Sequence, residues 1–503
     1  MRRFLWLGFV LSLYLICSGC GDTFRPIIIP NPPIFPNPAA AHTVVSINVN
    51  APLSGQPEVV PGSAMVIDVS GDSVASIAKV GLAPVNAVQQ SASVILVANH
   101  SLTGAVADSI TKLNFSGTTI TSTTTISLPP NSAPNFVATT ESTQAYVLLP
   151  SYVPDPINNP GVVVPSLGVI NTNSSSLITT LPVGNGPIAV AETPNAKQVY
   201  VANQTDSTID GFDINGQNLT LRVGSPVSTS SPPIWFSARS DSQVVYVLEG
   251  NGTLGALNVT ATAGPDTLTE YPALAVSGAN IMTYDPNLNR LYIPGGQEVA
   301  IVDVSQSPPQ FLAGGPIPTC AAAPQSSNCI PTFAPSLRGL GDPCALTTAK
   351  PLTVVAAAAL PDGSQAYVGA YYENVVVVNG IGIDYICPQV TAIDAASNTV
   401  TVSTAVPGFP DATISSSPYY VPVCANTRDL VGPLGSGFRF MMGAGGDSSR
   451  AYLSSCDGGM VNVIDTSNDT YILNQPAPTG TRPPISPSLQ NPPQNPVFLI
   501  AGP

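Results

Sequence analysis

Histidine is almost missing from this chain: His42 and His100 are the only two. Haem and multi-copper centres need several, so metal chemistry of that kind is excluded. A Ser-His-Asp nucleophile could be built only through His100, and a solvated loop histidine is the simpler reading of that residue. Charge is nearly as scarce. Charged residues make up 9% of the chain, and 15 Lys and Arg stand against 29 Asp and Glu, a formal net charge of −14. So little base cannot neutralise a phosphate backbone, which excludes nucleic acid as a partner. Leu, Glu and Lys in 3.6-residue rhythm are missing as well, which excludes a helical architecture. There is no GxSxG elbow, P-loop or HExxH helix, and without a close CxxC pair a cysteine zinc site is a weak reading. No catalytic residue, cofactor or metal is expected.

What is present begins with an export signal. Arg2 and Arg3 precede an apolar run from Phe4 to Ile16 that is short for a membrane span. The tetrad Cys17-Ser18-Gly19-Cys20 then resembles the lipobox of bacterial lipoproteins, with Cys17 where that motif prefers Leu. The resemblance implies a signal peptide over 1–19 and lipidation of Cys20; cleavage without lipidation is the alternative. Residues 20–42 hold the lipidated cysteine and a Pro-rich stretch, RPIIIPNPPIFPNPAAA from Arg25 to Ala41, which reads as a semi-rigid spacer. No later stretch is long and apolar enough to span a bilayer. The expectation is an exported, lipid-anchored protein of the bacterial cell envelope, on the periplasmic side or the outer surface.

From 43 to 503 the chain is rich in Val, Ile, Thr, Ser and Asn and is broken by Gly and Pro, the composition of an all-β protein with many turns. One pattern recurs: a Pro-led apolar strand, a polar turn, a second strand often containing Tyr-Val, a third strand ending near Asp, and a Thr/Val-rich fourth. The second strands start near Val44, Val94, Ala145, Val199, Val245, Leu291, Ala366 and Ala451. Eight such units predict a single β-propeller of four-stranded antiparallel blades, with seven blades as the runner-up and a β-sandwich as the rival fold. The first unit lacks its opening strand, and the tail from Asn495 to Pro503 has the missing pattern, so the C-terminal strand is expected to join the N-terminal blade and close the ring. The units Tyr200-Val201-Ala202-Asn203 and Leu96-Val97-Ala98-Asn99 resemble the YVTN family of propeller repeats, whose members usually close seven blades.

The long connections are predicted on one face: Ala51 to Gly62, Ser151 to Ser166 and Tyr371 to Pro388 between second and third strands, and Pro318 to Lys350, Phe409 to Gly437 and Ala477 to Pro496 between blades. Cys320, Cys329, Cys344, Cys387, Cys424 and Cys456 map to the same face. Six cysteines in an exported protein suggest three disulfides. The preferred pairing is 320 with 329, 344 with 387 and 424 with 456, among fifteen possible arrangements. Loops on a rigid scaffold are where recognition is usually placed. Candidate contact residues are Tyr152, Asp155, Tyr371, Tyr372, Glu373, Asp384, Tyr385, Tyr419, Tyr420, Arg428 and Asp429. Asp68, Asp213, Asp303, Asp394 and Asp465, where third strands end, read as turn caps before they read as cation ligands. The functional expectation is a monomeric, non-catalytic binding or scaffolding module for a protein or carbohydrate, tied to the membrane only by its lipid. The alternative is a lactonase-like hydrolase acting on a small sugar lactone in the central funnel.

Overall fold

A computed structural model describes residues 43–502, apart from 51–59, 101–107, 141–142, 261–263, 313, 333–341, 346–349, 379, 429–436, 473–475, 478–479, 482–484 and 488–493. The predicted signal, Cys20, the Pro-rich stretch, Asp429 and much of the 51–62 and 477–496 connections lie outside the described residues.

The chain forms an eight-bladed β-propeller in which each blade is an antiparallel sheet of four strands, inner to outer in chain order. All eight second strands fall where the repeat put them: Thr43–Asn50, Val94–Asn99, Gln144–Leu149, Gln198–Asn203, Val244–Glu249, Arg290–Gly295, Gln365–Val378 and Arg450–Ser455. Their Val, Ile and Tyr residues lie between two sheets and are buried on both faces, which is why these strands read as near-continuous apolar runs. Eight apolar wedges, one between each pair of neighbouring blades, form the core. In some blades the repeat tyrosine stitches neighbours together. Tyr200 of blade four donates its hydroxyl to Asp266 of blade five at 2.8 Å, and Tyr367 of blade seven donates to Asp469 of blade eight at 2.5 Å.

Closure is made by the tail. Gln494–Ala501 is the inner strand of blade one and runs antiparallel to Thr43–Asn50, with Val44 opposite Ala501 and Ile47 opposite Phe498. The wedge that results packs Val44, Met65 and Ile67 of blade one against Tyr452, Val461 and Val463 of blade eight.

The two faces differ as expected. On one, here the plain face, the turns are short and the aspartates close them. Asp68, Asp303, Asp394 and Asp465 each accept from the backbone amide and the hydroxyl of a following serine, Ser70, Ser305, Ser397 and Ser467. Asp213 pairs instead with Arg222. The first four carboxylates therefore serve the turns. The opposite, insertion-bearing face carries the long connections and three disulfides, Cys320–Cys329, Cys344–Cys387 and Cys424–Cys456. One expectation is corrected there. Tyr371 to Pro388 is not a loop: Gln365–Val378 and Ile381–Asp394 stay paired along their whole length and project as a β-hairpin.

Candidate functional site

On the insertion-bearing face, two projections stand out for exposed aliphatic surface. The 150–165 connection of blade three leaves Ile157 88% exposed and also shows Val162 and Val163. The hairpin of blade seven leaves Val377 71% and Ile381 67% exposed beside Val375. Comparable exposure elsewhere is found at Leu221 and Val223, at the rim of blade four. Val375 and Val377 share one face of the hairpin and Ile381, opposite Val378, lies on the other. Aliphatic residues exposed on both faces of a projection that rises from a disulfide-pinned base are a contact surface in form, because the tip has little of its own fold to bury against. The base is firm. Cys387 is bonded to Cys344, the Tyr372 hydroxyl donates to the Cys344 carbonyl, and Lys350 donates its Nζ to the Glu373 carbonyl at 2.7 Å.

The residues expected to make contacts divide. Glu373 and Tyr419 are exposed, and Tyr152, Asp155, Asp384, Tyr385 and Tyr420 are half-buried. Asp155 holds its own loop, accepting from the Asn158 amide at 3.0 Å and from the Asn158 and Asn159 side chains, and the first of these bonds keeps its carboxyl below the usual range. Tyr371, Tyr372 and Arg428 are buried and cannot reach a partner in this arrangement. Tyr371 stacks on Phe440 at 5.2 Å, because its place on a paired strand turns the ring inward.

Arg428 is the larger surprise. The connection between blades seven and eight turns down toward the propeller axis, tied by Cys424–Cys456, and sets this guanidinium in the mouth of the central channel. Its Nη2 donates to the Ile188 carbonyl at 2.7 Å and its Nη1 to that of Ile234 at 3.2 Å, both at the start of inner strands. The rings of Phe136, Trp235 and Phe438 surround it at 5.5–5.9 Å. Below, aromatic residues from blades three, five, eight and one meet across the axis, Phe136 against Trp235, Trp235 against Phe438 and Phe438 against Phe498. Beside the mouth, Arg439 is 1% exposed and forms a buried triad with Asp457 at 2.8 Å and Asp411 at 3.1 Å. Burial opposes its charge, but the two carboxylates outweigh that and raise its pKa. Sequence reasoning missed this centre. Its one local signal was the oversized Phe136, Trp235 and Phe498 at inner-strand positions where blades two, four and seven place Asn86, Ala189 and Ala356.

Ionisable groups on the described inner strands are few, namely Glu192, Tyr284 and Asp285. Asp285 caps its turn, accepting from the Asn287 and Leu288 amides, and Glu192 accepts from the Thr140 amide at 2.6 Å. Burial, weakly opposed by Thr140, pushes the Glu192 carboxyl up to about 7. Glu249 is also pushed to about 7, by burial first, against the Ser230 bond and with the adjoining Glu270 adding to it. His100, half-buried after the second strand of blade two, is shifted down by burial against the pull of Asp108. These shifts set a pH dependence. Both glutamates hold a proton in the folded state that the unfolded chain releases near pH 4.5, so their contribution is present in acid and disappears as pH rises through about 7. His100 acts oppositely, its contribution failing as pH falls. Between about pH 4.5 and 7 the urea midpoint should therefore fall as pH rises, each carboxyl contributing at most about 1.4 kcal/mol per pH unit, with the single His100 opposing them only below its ordinary 6.5. Glu249→Gln should flatten that slope; an unchanged slope would show that Glu249 is ionised throughout.

No family model matches this sequence, and no curated protein does. Among solved structures, the class is that of β-propeller proteins. Dihydro-heme d1 dehydrogenase NirN in complex with DHE aligns at a TM-score of 0.52 and 11% identity, over 94% of this chain and 79% of that one. Apo AztD from Citrobacter koseri aligns at 0.51 and 11% identity, over 91% of this chain and 98% of that one. At such identities the likeness is one of fold.

Proposed function

We propose that this protein is a lipid-tethered, YVTN-type propeller of the bacterial envelope that binds a protein or carbohydrate through its insertion-bearing face. The observation that carries the reading is that projecting aliphatic surface and all three disulfides are gathered on one face of a rigid ring. Folding alone gives no reason for that crowding, because turns on either face satisfy the blades equally. The tether supports it. Thr43 pairs with Asp68, so the described chain begins at the plain-face end of blade one. A lipid on Cys20 would then hold the plain face toward the bilayer, across a spacer reaching roughly 70 Å if it is extended as polyproline II, and present the insertions outward. Lactone hydrolysis would need acid and base groups in a funnel whose mouth is occupied by Arg428 and its aromatic rings.

Two measurements test the reading. Cys20→Ala should move the protein from the membrane fraction to the soluble one. Replacing Asn374 to Ile383 by a two-residue turn should leave the circular dichroism spectrum intact and weaken capture of a specific envelope protein or glycan at least tenfold. Undiminished capture would exclude the hairpin.

A further inference from the structure

The contacts of Arg428 describe a binding site as well as a plug. Three aromatic faces and two backbone carbonyls converge on one planar cation, the arrangement by which proteins recognise cationic ligands. The walls come from separate blades and are held without the arginine. Trp235 donates its Nε1 to the Met282 carbonyl at 3.0 Å, and its ring packs edge-on against Phe136 at 5.4 Å and against Phe438 at 5.7 Å. The cation, by contrast, arrives on a connection between blades: Thr427 bonds back to the Cys424 carbonyl, Cys424 is tethered to Cys456, and the Asn280 side chain donates to the Arg428 carbonyl at 2.6 Å. Rigid walls with a tethered occupant are the geometry of a site filled in cis.

We propose that the channel mouth is a guanidinium-recognition site, occupied here by Arg428, and that its ligand in trans is an arginine side chain of a partner polypeptide. This rests on the reading of the insertion-bearing face as a recognition face and assigns the partner's chemistry. The Ile188 and Ile234 carbonyls, 2.7 and 3.2 Å from two different guanidinium nitrogens, favour a planar fork over an ammonium, which offers its donors from a single atom. The net charge of −14 favours the approach of a cation. Arg428 competes at the high effective concentration of a tethered group, so an incoming arginine binds measurably only where the loop is displaced or its side chain removed.

The readout is built in. Trp6 and Trp235 are the only tryptophans, so Trp6→Phe in the full chain leaves fluorescence from the cage alone. In that background, Arg428→Ala should give a saturable change in Trp235 emission with ethylguanidinium, at least tenfold tighter than with ethylammonium, and the parent with Arg428 should not respond over the same range. A blocked Gly-Arg-Gly peptide should compete with ethylguanidinium in the alanine variant. If Arg428→Ala does not fold, Arg428→Gln carries the same comparison with a neutral, weaker occupant. A folded variant that shows no saturation, or responds equally to both cations, would overturn the site and make Arg428 a packing plug. Binding of ethylguanidinium without the peptide would overturn the assignment to a partner's arginine. Neither result touches partner capture by the hairpin, which is measured separately.

Discussion

Deleting Gln494–Ala501 is expected to abolish the native ring, the largest single effect available in this chain. The strand supplies the whole inner edge of blade one, and Val497, Phe498 and Leu499 are each less than 10% exposed. Burial of three such side chains contributes on the order of 5 kcal/mol or more. The deletion also uncovers the Thr43–Asn50 edge, a run of buried Val and Ile that invites pairing with other chains. The truncated protein should lack a cooperative urea transition and sediment as aggregates. A synthetic peptide of residues 494–503 added during refolding should restore part of the transition, since the edge it completes belongs to the rest of the chain. A truncated protein with the full-length midpoint would mean that the ring holds without its closing strand.

That strand was legible because the requirement was local on both sides: a first unit lacking its opening strand, and a tail with the pattern it lacked. The second strands were legible for a similar reason, since burial between two blades forces Val, Ile and Tyr into the same places each time. The six cysteines mapped to one face and their even number suggested three disulfides there, and the preferred pairing among the fifteen is the one formed. The hairpin of blade seven was written in the sequence and misread. Val375 to Val378 and Ile381 to Ile383 flank Asn379-Gly380, a strong signal for a tight hairpin turn, yet the insertion's length suggested a loop. The centre of the propeller left only its oversized inner-strand aromatics as a mark, and nothing that pointed to Arg428. Arg428 meets carbonyls of Ile188 and Ile234, 240 and 194 residues away, and a contact to a backbone carbonyl leaves no mark on the identity of the residue that provides it. Arg439 was hidden otherwise, as an arginine beside an inner strand whose partners Asp411 and Asp457 lie on two different connections.

Arg439 is where a single side chain should matter most. Its Nε and Nη2 bond the two oxygens of Asp457 at 2.9 and 2.8 Å, Nη2 lies 3.1 Å from Asp411, and Tyr371 and Phe440 lie over the guanidinium at 5.5 and 5.9 Å. Asp457 in turn accepts the Ala412 amide at 3.0 Å. The triad thus clamps the start of the connection that carries Arg428 onto blade eight. Arg439→Ala leaves two carboxylates in a buried space with the cation gone, and stability should fall by about 3–5 kcal/mol. Arg439→Lys should cost less, because one ammonium retains the charge but neither the fork nor the stacking. Adding Asp457→Asn to the alanine variant should recover part of the loss, since much of it comes from uncompensated charge and the amide can donate where the carboxylate could only accept. The urea midpoints of the three variants check this order. If the loss exceeds recovery because the connection has come away from blade eight, Trp235 emission will shift in Arg439→Ala well below the unfolding midpoint, as Arg428 leaves the mouth that it fills.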